Sequence, residues 1–186
     1  MTVQYTPSEI FNLKLHCQNQ LFNPSDHIVM LTFDDNYMDQ SMNLMLSILR
    51  HNPSKVSFVC TCPVLKQENI DILMTLDAGI QVRCYEFALD LQMGRWALSA
   101  VLRLFSPWLL EDNIHRVLYM DSDILCSGSL TELFDTDVKC IAMCNEISGN
   151  VSLIQQGNVR PYVPTRIYCN SGVVLFNLNY LRENRG

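Results

Sequence analysis

The sequence predicts an α/β fold with a mostly parallel central sheet. From residue 27 onward, short apolar runs alternate with stretches in which apolar residues recur at helical spacing. Runs that are apolar throughout are typical of strands buried on both faces, and the intervening helices supply the crossovers that parallel pairing requires. Ligands bind such sheets at the carboxyl ends of the strands, so the polar segments that follow the apolar runs hold the candidate functional residues.

Six apolar runs predict the strands of this sheet. They are residues 27–33, 56–60, 81–87, 116–120, 140–144 and 172–176. Three intervening segments predict helices because their apolar residues recur every three or four positions: residues 39–50, 67–76 and 96–110. Gly79 is expected to end the second of these helices, and Pro107 is expected to disturb the third locally.

Residues 1–26 are predicted to form a separate, helical N-terminal extension, ahead of one domain that comprises residues 27–186. The apolar residues between Ser8 and Phe22 recur at loosely helical spacing, and the polar, proline-containing residues 23–26 then break the pattern. Two roles remain open for this helix, which either packs against the domain or binds a partner.

The composition excludes several classes of protein. The 186 residues include 13 basic and 19 acidic side chains, a net charge of −6 without a basic block, which argues against nucleic acid as a partner. No uncharged apolar run approaches the ~20 residues that a membrane span needs, and residues 1–12 lack the pattern of a secretory signal. The cysteines are therefore expected to be reduced thiols in a cytoplasmic protein, and the closely spaced Cys60 and Cys62 are interpreted as core residues.

The segment after the first predicted strand has the residue types of a nucleotide-binding loop. Asp34 and Asn36 carry groups that can hydrogen-bond a base or ribose, and the ring of Tyr37 can stack on a base. Neither a G-x-G-x-x-G fingerprint nor a P-loop is present in the sequence. The alternative for this segment is an Asx turn that caps the following helix.

Two carboxylates follow the fourth predicted strand directly. Asp121 and Asp123 are two positions apart, so in an extended segment they face the same side and can bind one hard cation, Mg²⁺ or Mn²⁺. Without a cation the two charges would repel each other. Two alternatives remain open, a solvated loop with a helix cap or the nucleophile motif of haloacid-dehalogenase-type phosphatases. That family, however, places its motif at the first strand and follows it with Thr, whereas Ile124 follows here.

Two further polar features accompany this motif. Arg103 lies among apolar residues, so its guanidinium is expected to face either solvent or an anion such as a diphosphate. Asn170, Ser171 and Gly172 precede or begin the last apolar run, where their small side chains allow a close approach to a ligand. Alternatively, these residues form a turn before an edge strand.

Taken in order, these segments resemble the retaining glycosyltransferases of family 8, a group that includes glycogenin and bacterial enzymes that build lipopolysaccharide. The first matching segment is IVMLTFDDNYMDQSMNLMLSILRHN, which is similar to the family's first strand, nucleotide loop and helix. The second, RLFSPWLLEDNIHRVLYMDSDILCSGSLTELFDTD, is similar to the family's Arg helix and to the strand that carries its D-x-D motif, here Asp121-Ser122-Asp123. The third, YCNSGVVLFNLNYLRE, is similar to the family's later N-[SA]-G strand. The resemblance covers residues 27–185.

The resemblance implies a GT-A type fold, which is a Rossmann-like nucleotide-sugar domain. It also implies a set of residues that bind the nucleotide sugar: Thr32, Phe33, Asp34, Asn36, Tyr37, Arg103, Asp121, Ser122, Asp123, Asn170 and Ser171. Within this set, Asp121 and Asp123 match the pair that binds Mn²⁺, or Mg²⁺ in its place. The family offers no agreed nucleophile, so the catalytic residues stay unassigned, with Glu146 and Asn170 as candidates.

The implied reaction moves a hexose from a UDP-sugar to the hydroxyl of a saccharide or other acceptor, with the α linkage retained. Its implied setting is lipopolysaccharide or polysaccharide synthesis, in the cytoplasm or peripheral to the membrane. Family members continue beyond the third segment and carry a His ligand for the metal there, whereas His115 is the last histidine here and precedes Asp121. The domain is therefore expected to lack its C-terminal part, to leave its sheet partly uncovered and to self-associate. The alternative is a truncated module that binds the UDP-sugar without turnover.

Overall fold

The computed structural model describes residues 11–17, 27–53, 56–76, 79–87, 102–146 and 168–184. Within these ranges, seven strands form one sheet: β1 (Phe11–Cys17), β2 (His27–Thr32), β3 (Val56–Cys62), β4 (Ile80–Phe87), β5 (Arg116–Met120), β6 (Ile141–Glu146) and β7 (Tyr168–Asn177). The strand order is β1-β4-β3-β2-β5-β7-β6. Each strand predicted from residue 27 onward corresponds to one of these strands.

Five helices accompany the sheet in the same ranges: α1 (Met38–His51), α2 (Gln67–Leu76), α3 (Ser106–Leu109), α4 (Thr131–Asp135) and α5 (Leu178–Glu183). Short 3-10 turns at Asp35–Tyr37 and Arg103–Phe105 precede α1 and α3. The predicted α/β fold is therefore confirmed. None of the helices in the described ranges is long and apolar enough to cross a membrane.

The centre of the sheet consists of four parallel strands in the order β4-β3-β2-β5. The chain winds from β2 outward through α1, β3, α2 and β4, and β5 then pairs with the opposite side of β2. This reversal creates a topological switch point between β2 and β5, whose carboxyl ends lie side by side. Residues of β2 are buried on both faces of the sheet, which explains the continuous apolar sequence of this strand.

Antiparallel strands extend the parallel centre on both sides, a feature that the sequence did not predict. β1 pairs with β4, and β7 pairs with both β5 and β6. Because β7 lies inside the sheet, the alternative of an edge strand at residues 172–176 is wrong. The pairing of β6 with β7 shifts register after Met143, so residues 171–173 have no partner in β6. These bulged residues lie beside the end of β5.

The helical prediction for the N-terminal extension is wrong for residues 11–17, which form β1. Each β1 residue has a partner in β4, from Phe11 opposite Phe87 to Cys17 opposite Gln81. Pairing with β4 therefore overrides the loosely helical spacing of the apolar residues. The other parts of the predicted extension, residues 1–10 and 18–26, lie outside the described residues.

The predicted helix at residues 96–110 lies only partly within the described residues, and that part is not one continuous helix. The 3-10 turn at Arg103–Phe105 leads into the four-residue helix α3. Pro107 is the second residue of α3 and lies in its first turn. Proline lacks a backbone N–H, which costs little there because N–H groups of the first turn have no partner within the helix. Residues 96–101 lie outside the described ranges.

The core forms on both faces of the sheet. On one face, alternate residues of β2 pack against the apolar side of α1, whose buried hydrophobic residues are Met38, Leu44, Met45 and Ile48. On the other face, Tyr119 of β5 packs in one cluster with Leu178 at the start of α5. Burial fixes the register of β2 and β5, and with it the positions of the residues that follow these strands.

Two arginines hold the segment that joins α3 to β5. The Arg83 side chain is only 3% exposed and donates to the carbonyl oxygen of Leu109 (2.7 Å) and to the Glu111 carboxylate (2.6 and 2.8 Å). The Arg182 guanidinium donates to carbonyl oxygens of the same segment, including those of Leu110 (3.0 Å) and Ile114 (2.8 Å). These bonds fix α3 against the sheet, together with the turn that precedes it.

Burial of the central strands predicts a difference in thiol reactivity. Burial raises the pKa of the Cys60 thiol to about 12 and also raises the pKa of Cys62, so both thiols stay protonated near neutral pH. Cys144 is exposed. We expect iodoacetamide to alkylate Cys144 in the native chain, and to alkylate Cys60 and Cys62 only after unfolding in urea. Peptide mass spectrometry would measure both rates, and native alkylation of Cys60 as fast as that of Cys144 would contradict this core.

Candidate functional site

The first loop of the site follows β2 and contains an Asx turn. Oδ1 of Asp34 accepts a hydrogen bond from the backbone N–H of Asn36 (2.9 Å), and the Asp34 carbonyl accepts one from the N–H of Tyr37 (3.0 Å). The turn expected as the alternative for this segment is therefore present. It leaves Asn36 exposed and Tyr37 49% exposed, whereas the side chain of Phe33 is buried in the core.

Asp35, which no sequence motif singled out, fixes this loop in place. Its Oδ1 accepts a hydrogen bond from the backbone N–H of Lys66 (3.1 Å) and another from Nδ2 of Asn69 (2.7 Å). These donors lie at the start of α2, where backbone N–H groups lack partners within the helix. No local pattern marks Asp35, because its partners lie 31 and 34 residues away along the chain.

Asp121 and Arg103 form an ion pair at the carboxyl end of β5. Nη1 of Arg103 lies 2.9 Å from Oδ1 of Asp121, and the guanidinium carbon lies 4.3 Å from the centre of the Tyr119 ring. The Arg103 side chain is only 16% exposed, so it faces a carboxylate and an aromatic ring. Of the two environments expected for Arg103, solvent or an anion, the structure shows the anion.

Tyr119 connects this ion pair to the end of β2. Its hydroxyl donates to Oδ1 of Asp121 and lies 3.3 Å from Oγ1 of Thr32, the last residue of β2. Burial raises the pKa of Tyr119, so the hydroxyl stays protonated and can donate to the carboxylate. Tyr119 was not among the predicted site residues. Strand alternation could have found it, because residues two positions apart, such as Tyr119 and Asp121, face the same side.

Ser122 and Asp123, both predicted to bind the nucleotide sugar, have different environments. Ser122 is buried, and its Oγ lies 2.9 Å from Oγ of Ser41, whose hydroxyl also donates to the carbonyl oxygen of Tyr37 (2.8 Å). Ser122 therefore joins the D-x-D segment to the first loop through α1. Asp123 is exposed, which leaves its carboxylate accessible to a ligand.

The bulged part of β7 lies against Asp121. The N–H of Asp121 donates to the carbonyl oxygen of Gly172 (2.7 Å), and Nη1 of Arg103 donates to that of Ser171 (3.0 Å). Oδ1 of Asn170 accepts a hydrogen bond from the N–H of Gly172 (2.7 Å). The structure therefore brings Asn170 and Ser171, which are far from Asp121 in the sequence, next to it in space.

The two candidates for catalysis lie on adjacent strands. Asn170 belongs to β7 and is exposed, and Glu146 is the last residue of β6, where its backbone pairs with Tyr168. The side chain of Glu146 lies outside the described part of the structure. Strand pairing thus brings the backbone of Glu146 to the same end of the sheet as Asn170.

The oxygen atoms at this end of β5 fit a hard divalent cation. A Cβ atom built on Gly172 would lie 3.0 Å from both Oδ2 of Asp121 and Oδ1 of Asn170, so the glycine leaves a gap between two potential ligand oxygens. Carboxylate and amide oxygens are ligands that Mg²⁺ and Mn²⁺ accept. Among the described residues, no group of three or more His, Cys, Asp or Glu side chains could hold a metal ion. Asp121 and Asp123 would therefore need further ligands from water, from a phosphate group or from other parts of the protein.

Comparison with known proteins gives one family and a set of related folds. The family model described as glycosyl transferase family 8 matches residues 28–185. A lipopolysaccharide 1,2-glucosyltransferase of Escherichia coli is 30% identical over 114 residues, which cover 57% of this chain and 34% of that protein. The chain therefore spans about a third of the length of this curated relative.

Solved structures of glycosyltransferases share the fold of this chain. The galactosyltransferase LgtC, solved in complex with donor and acceptor sugar analogues, matches with a TM-score of 0.67 and 21% identity, over 85% of this chain and 60% of LgtC. The bifunctional glycosyltransferase WbbM, solved without ligand, matches with a TM-score of 0.63 and 22% identity, over 90% of this chain and 34% of WbbM. These likenesses confirm the GT-A fold that the resemblance implied.

Asp35→Ala should lower the free energy of unfolding by about 1 to 2 kcal/mol, because it leaves the Lys66 N–H and the Asn69 amide without their acceptor. Urea denaturation followed by circular dichroism would measure the loss. The matched control is Asp137→Ala, since Asp137 is exposed, and its effect should stay within about 0.5 kcal/mol. Equal stability of the two variants would show that Asp35 does not hold the loop.

Proposed function

Because this chain belongs to glycosyl transferase family 8, we propose that it binds a UDP-hexose with a divalent cation and transfers the hexose to an acceptor hydroxyl, with retention of the α linkage. One observation carries the proposal: the first loop, Arg103, Asp121 and the bulge of β7 meet at the switch point between β2 and β5. Open α/β sheets bind their ligands at this position. Because the chain spans only part of its relatives, the complete reaction is proposed for the whole protein.

The first loop is proposed to hold the uridine. Asn36 and Tyr37 are exposed in this loop, where an amide can hydrogen-bond the ribose or base and an aromatic ring can stack on uracil. Asp34 uses Oδ1 in the Asx turn, but a carboxylate has a second oxygen that can accept a hydrogen bond from the uracil N–H. The turn and the binding role are therefore compatible. Thr32 and Phe33 would contribute backbone atoms beside the nucleotide.

Asp121 and Asp123 are proposed to hold Mn²⁺, or Mg²⁺, together with the diphosphate of the donor. The ion pair with Arg103 leaves these three side chains with a single net negative charge, which attracts a cation less than two carboxylates would. The diphosphate supplies the missing negative charge, so the cation and the nucleotide should bind together. When bound, such a cation neutralises charge that develops on the departing UDP. Arg103 can add a guanidinium contact to the diphosphate or to the sugar.

The transferred hexose is proposed to lie beside the bulge of β7. Asn170 and Ser171 are exposed there, next to Asp121, and their polar groups can hydrogen-bond sugar hydroxyls. The name of the Escherichia coli relative supports lipopolysaccharide, or another saccharide, as the acceptor. Such an acceptor favours a site of action in the cytoplasm, peripheral to the membrane. Glu146 is kept as a candidate for a sugar contact, and no nucleophile is assigned.

Asp121→Asn and Asp123→Asn should each remove the Mn²⁺-dependent part of UDP binding while the chain stays folded, because each change deletes a charge that the cation needs. Isothermal titration calorimetry of UDP with and without Mn²⁺ would measure the effect. Asp137→Asn is the matched control, since it changes an exposed carboxylate near the other end of β5. Metal-dependent UDP affinity that is unchanged in both site variants would refute the assignment of the cation to this pair.

Asp34→Ala should weaken UDP binding by about 1 to 3 kcal/mol, because a polar group of the bound nucleotide would lose its partner. Thermal stability should fall less, since water can replace the lost acceptor at the exposed Asn36. Asp137→Ala is the matched control, because it removes an exposed carboxylate outside this loop and should leave UDP binding unchanged. A sharply lower melting temperature with unchanged UDP affinity in Asp34→Ala would assign this side chain to the turn alone.

A further inference from the structure

We propose that Tyr119 and Gly172 are positioning residues that together present one oxygen of Asp121, Oδ2, to the divalent cation. The inference rests on the proposed function, because it concerns the cation assigned there to Asp121. It adds two residues that lie outside the D-x-D pair and that would not themselves bind the metal. One residue fixes the orientation of the carboxylate, and the other keeps the space in front of it empty.

Tyr119 fixes the carboxylate by binding its other oxygen. Oδ1 of Asp121 accepts a hydrogen bond from the Tyr119 hydroxyl and forms the ion pair with Nη1 of Arg103, which lies 2.9 Å away. The Tyr119 side chain is fully buried in β5, and its hydroxyl is also within 3.3 Å of Oγ1 of Thr32. The carboxylate therefore cannot rotate without breaking a hydrogen bond from a buried hydroxyl and an ion pair with a guanidinium. Within the described residues, no hydrogen bond reaches Oδ2 of Asp121, so this oxygen is the one left for a ligand.

Gly172 keeps the space in front of Oδ2 empty. A Cβ atom at this position would lie 3.0 Å from Oδ2 of Asp121 and 3.0 Å from Oδ1 of Asn170, closer than ordinary van der Waals contact allows. The backbone cannot easily move away, because the N–H of Asp121 donates to the carbonyl oxygen of Gly172 at 2.7 Å. A side chain would thus displace whatever binds between these two oxygens.

Backbone freedom does not account for this glycine. Its φ angle lies outside the left-handed region, so another residue could adopt the same backbone conformation. What position 172 supplies is therefore the absence of a side chain. Close packing alone would also favour glycine here, but a packing role predicts a loss of stability when a methyl group is added, whereas a positioning role predicts a loss of cation affinity.

The chain contains a matched control for this substitution. Gly128 also has a φ angle outside the left-handed region, and a Cβ atom built on it meets no atom within 4 Å. Gly172→Ala and Gly128→Ala therefore add the same methyl group at two positions where φ lies outside the left-handed region. Gly172 is a half-buried residue of β7, whereas Gly128 lies in an exposed bend where the methyl group would meet no other atom.

Mn²⁺ binding to the chain in the presence of UDP would test the inference. Electron paramagnetic resonance measures the free Mn²⁺ that remains in a titration, and a titration of UDP without protein gives the correction for Mn²⁺ held by the nucleotide alone. We expect Gly172→Ala to weaken Mn²⁺ binding by about 10- to 100-fold and Tyr119→Phe by about 10-fold, the range found when groups that orient a metal ligand are removed. Gly128→Ala should bind Mn²⁺ as the unmodified chain does. A melting temperature close to that of the unmodified chain, measured for each variant without Mn²⁺ and UDP, would show that the variant has lost cation affinity and not stability.

The outcomes separate this inference from the proposed function. If Gly172→Ala and Tyr119→Phe both bind Mn²⁺ as the unmodified chain does while Asp121→Asn does not, the positioning roles are wrong and the metal site stands. If the unmodified chain binds no more Mn²⁺ than UDP alone accounts for, both the proposed metal site and this inference are wrong. Should Gly172→Ala fail to fold, Tyr119→Phe decides alone, because it removes one hydroxyl and adds no atom.

Discussion

The ion pair between Arg103 and Asp121 is the contact on which the arrangement of the site depends. The ion pair joins the end of β5 to the turn that precedes α3. Arg83 and Arg182 hold α3 itself in place, because they donate hydrogen bonds to carbonyl oxygens at its end and just after it. A guanidinium that is largely buried is costly without a partner, so the carboxylate, the Tyr119 ring and a carbonyl of the β7 bulge must all be in place around it. One charged group therefore holds three separate parts of the chain together: the turn before α3, the end of β5 and the β7 bulge.

Much of the fold could be predicted because its causes lie in short stretches of sequence. The bounds of α2 and β5 agree with the prediction, since amphipathic spacing and burial on both faces leave direct marks in the residues themselves. The same holds for part of the site. Asp121 and Asp123 were found because two carboxylates directly follow a buried strand, and the structure shows that strand ending at the switch point. Their role as metal ligands stays a prediction.

What could not be predicted depends on partners that are distant in the sequence. The residues of β1 were predicted to be helical because the prediction considered the whole segment from Ser8 to Phe22. Within it, FNLKLHC alternates strictly between apolar and polar residues, which is the pattern of a strand. Pairing with β4, some 70 residues later, decides in favour of the strand. Asp35 was missed for the same reason, because its role follows from bonds to Lys66 and Asn69 that no local pattern records. Tyr119 is different, since its bond to Asp121 spans only two residues and strand alternation alone places both side chains on the same side. The bulge in β7 likewise appears only when β6 and β5 pair with it on its two sides.

The charges at the site are compatible with the proposed binding of an anionic donor by an acidic chain. Charges separated by more than about 10 Å are largely screened at moderate salt, so the net charge of −6 matters less than the few groups around Asp121. There, Arg103 already offsets one carboxylate, which weakens the attraction for a cation in the absence of nucleotide. A bound diphosphate would restore that attraction, and by thermodynamic linkage the cation would then strengthen nucleotide binding by the same factor. The ion pair that holds the site together would therefore also make the cation and the donor depend on each other for binding.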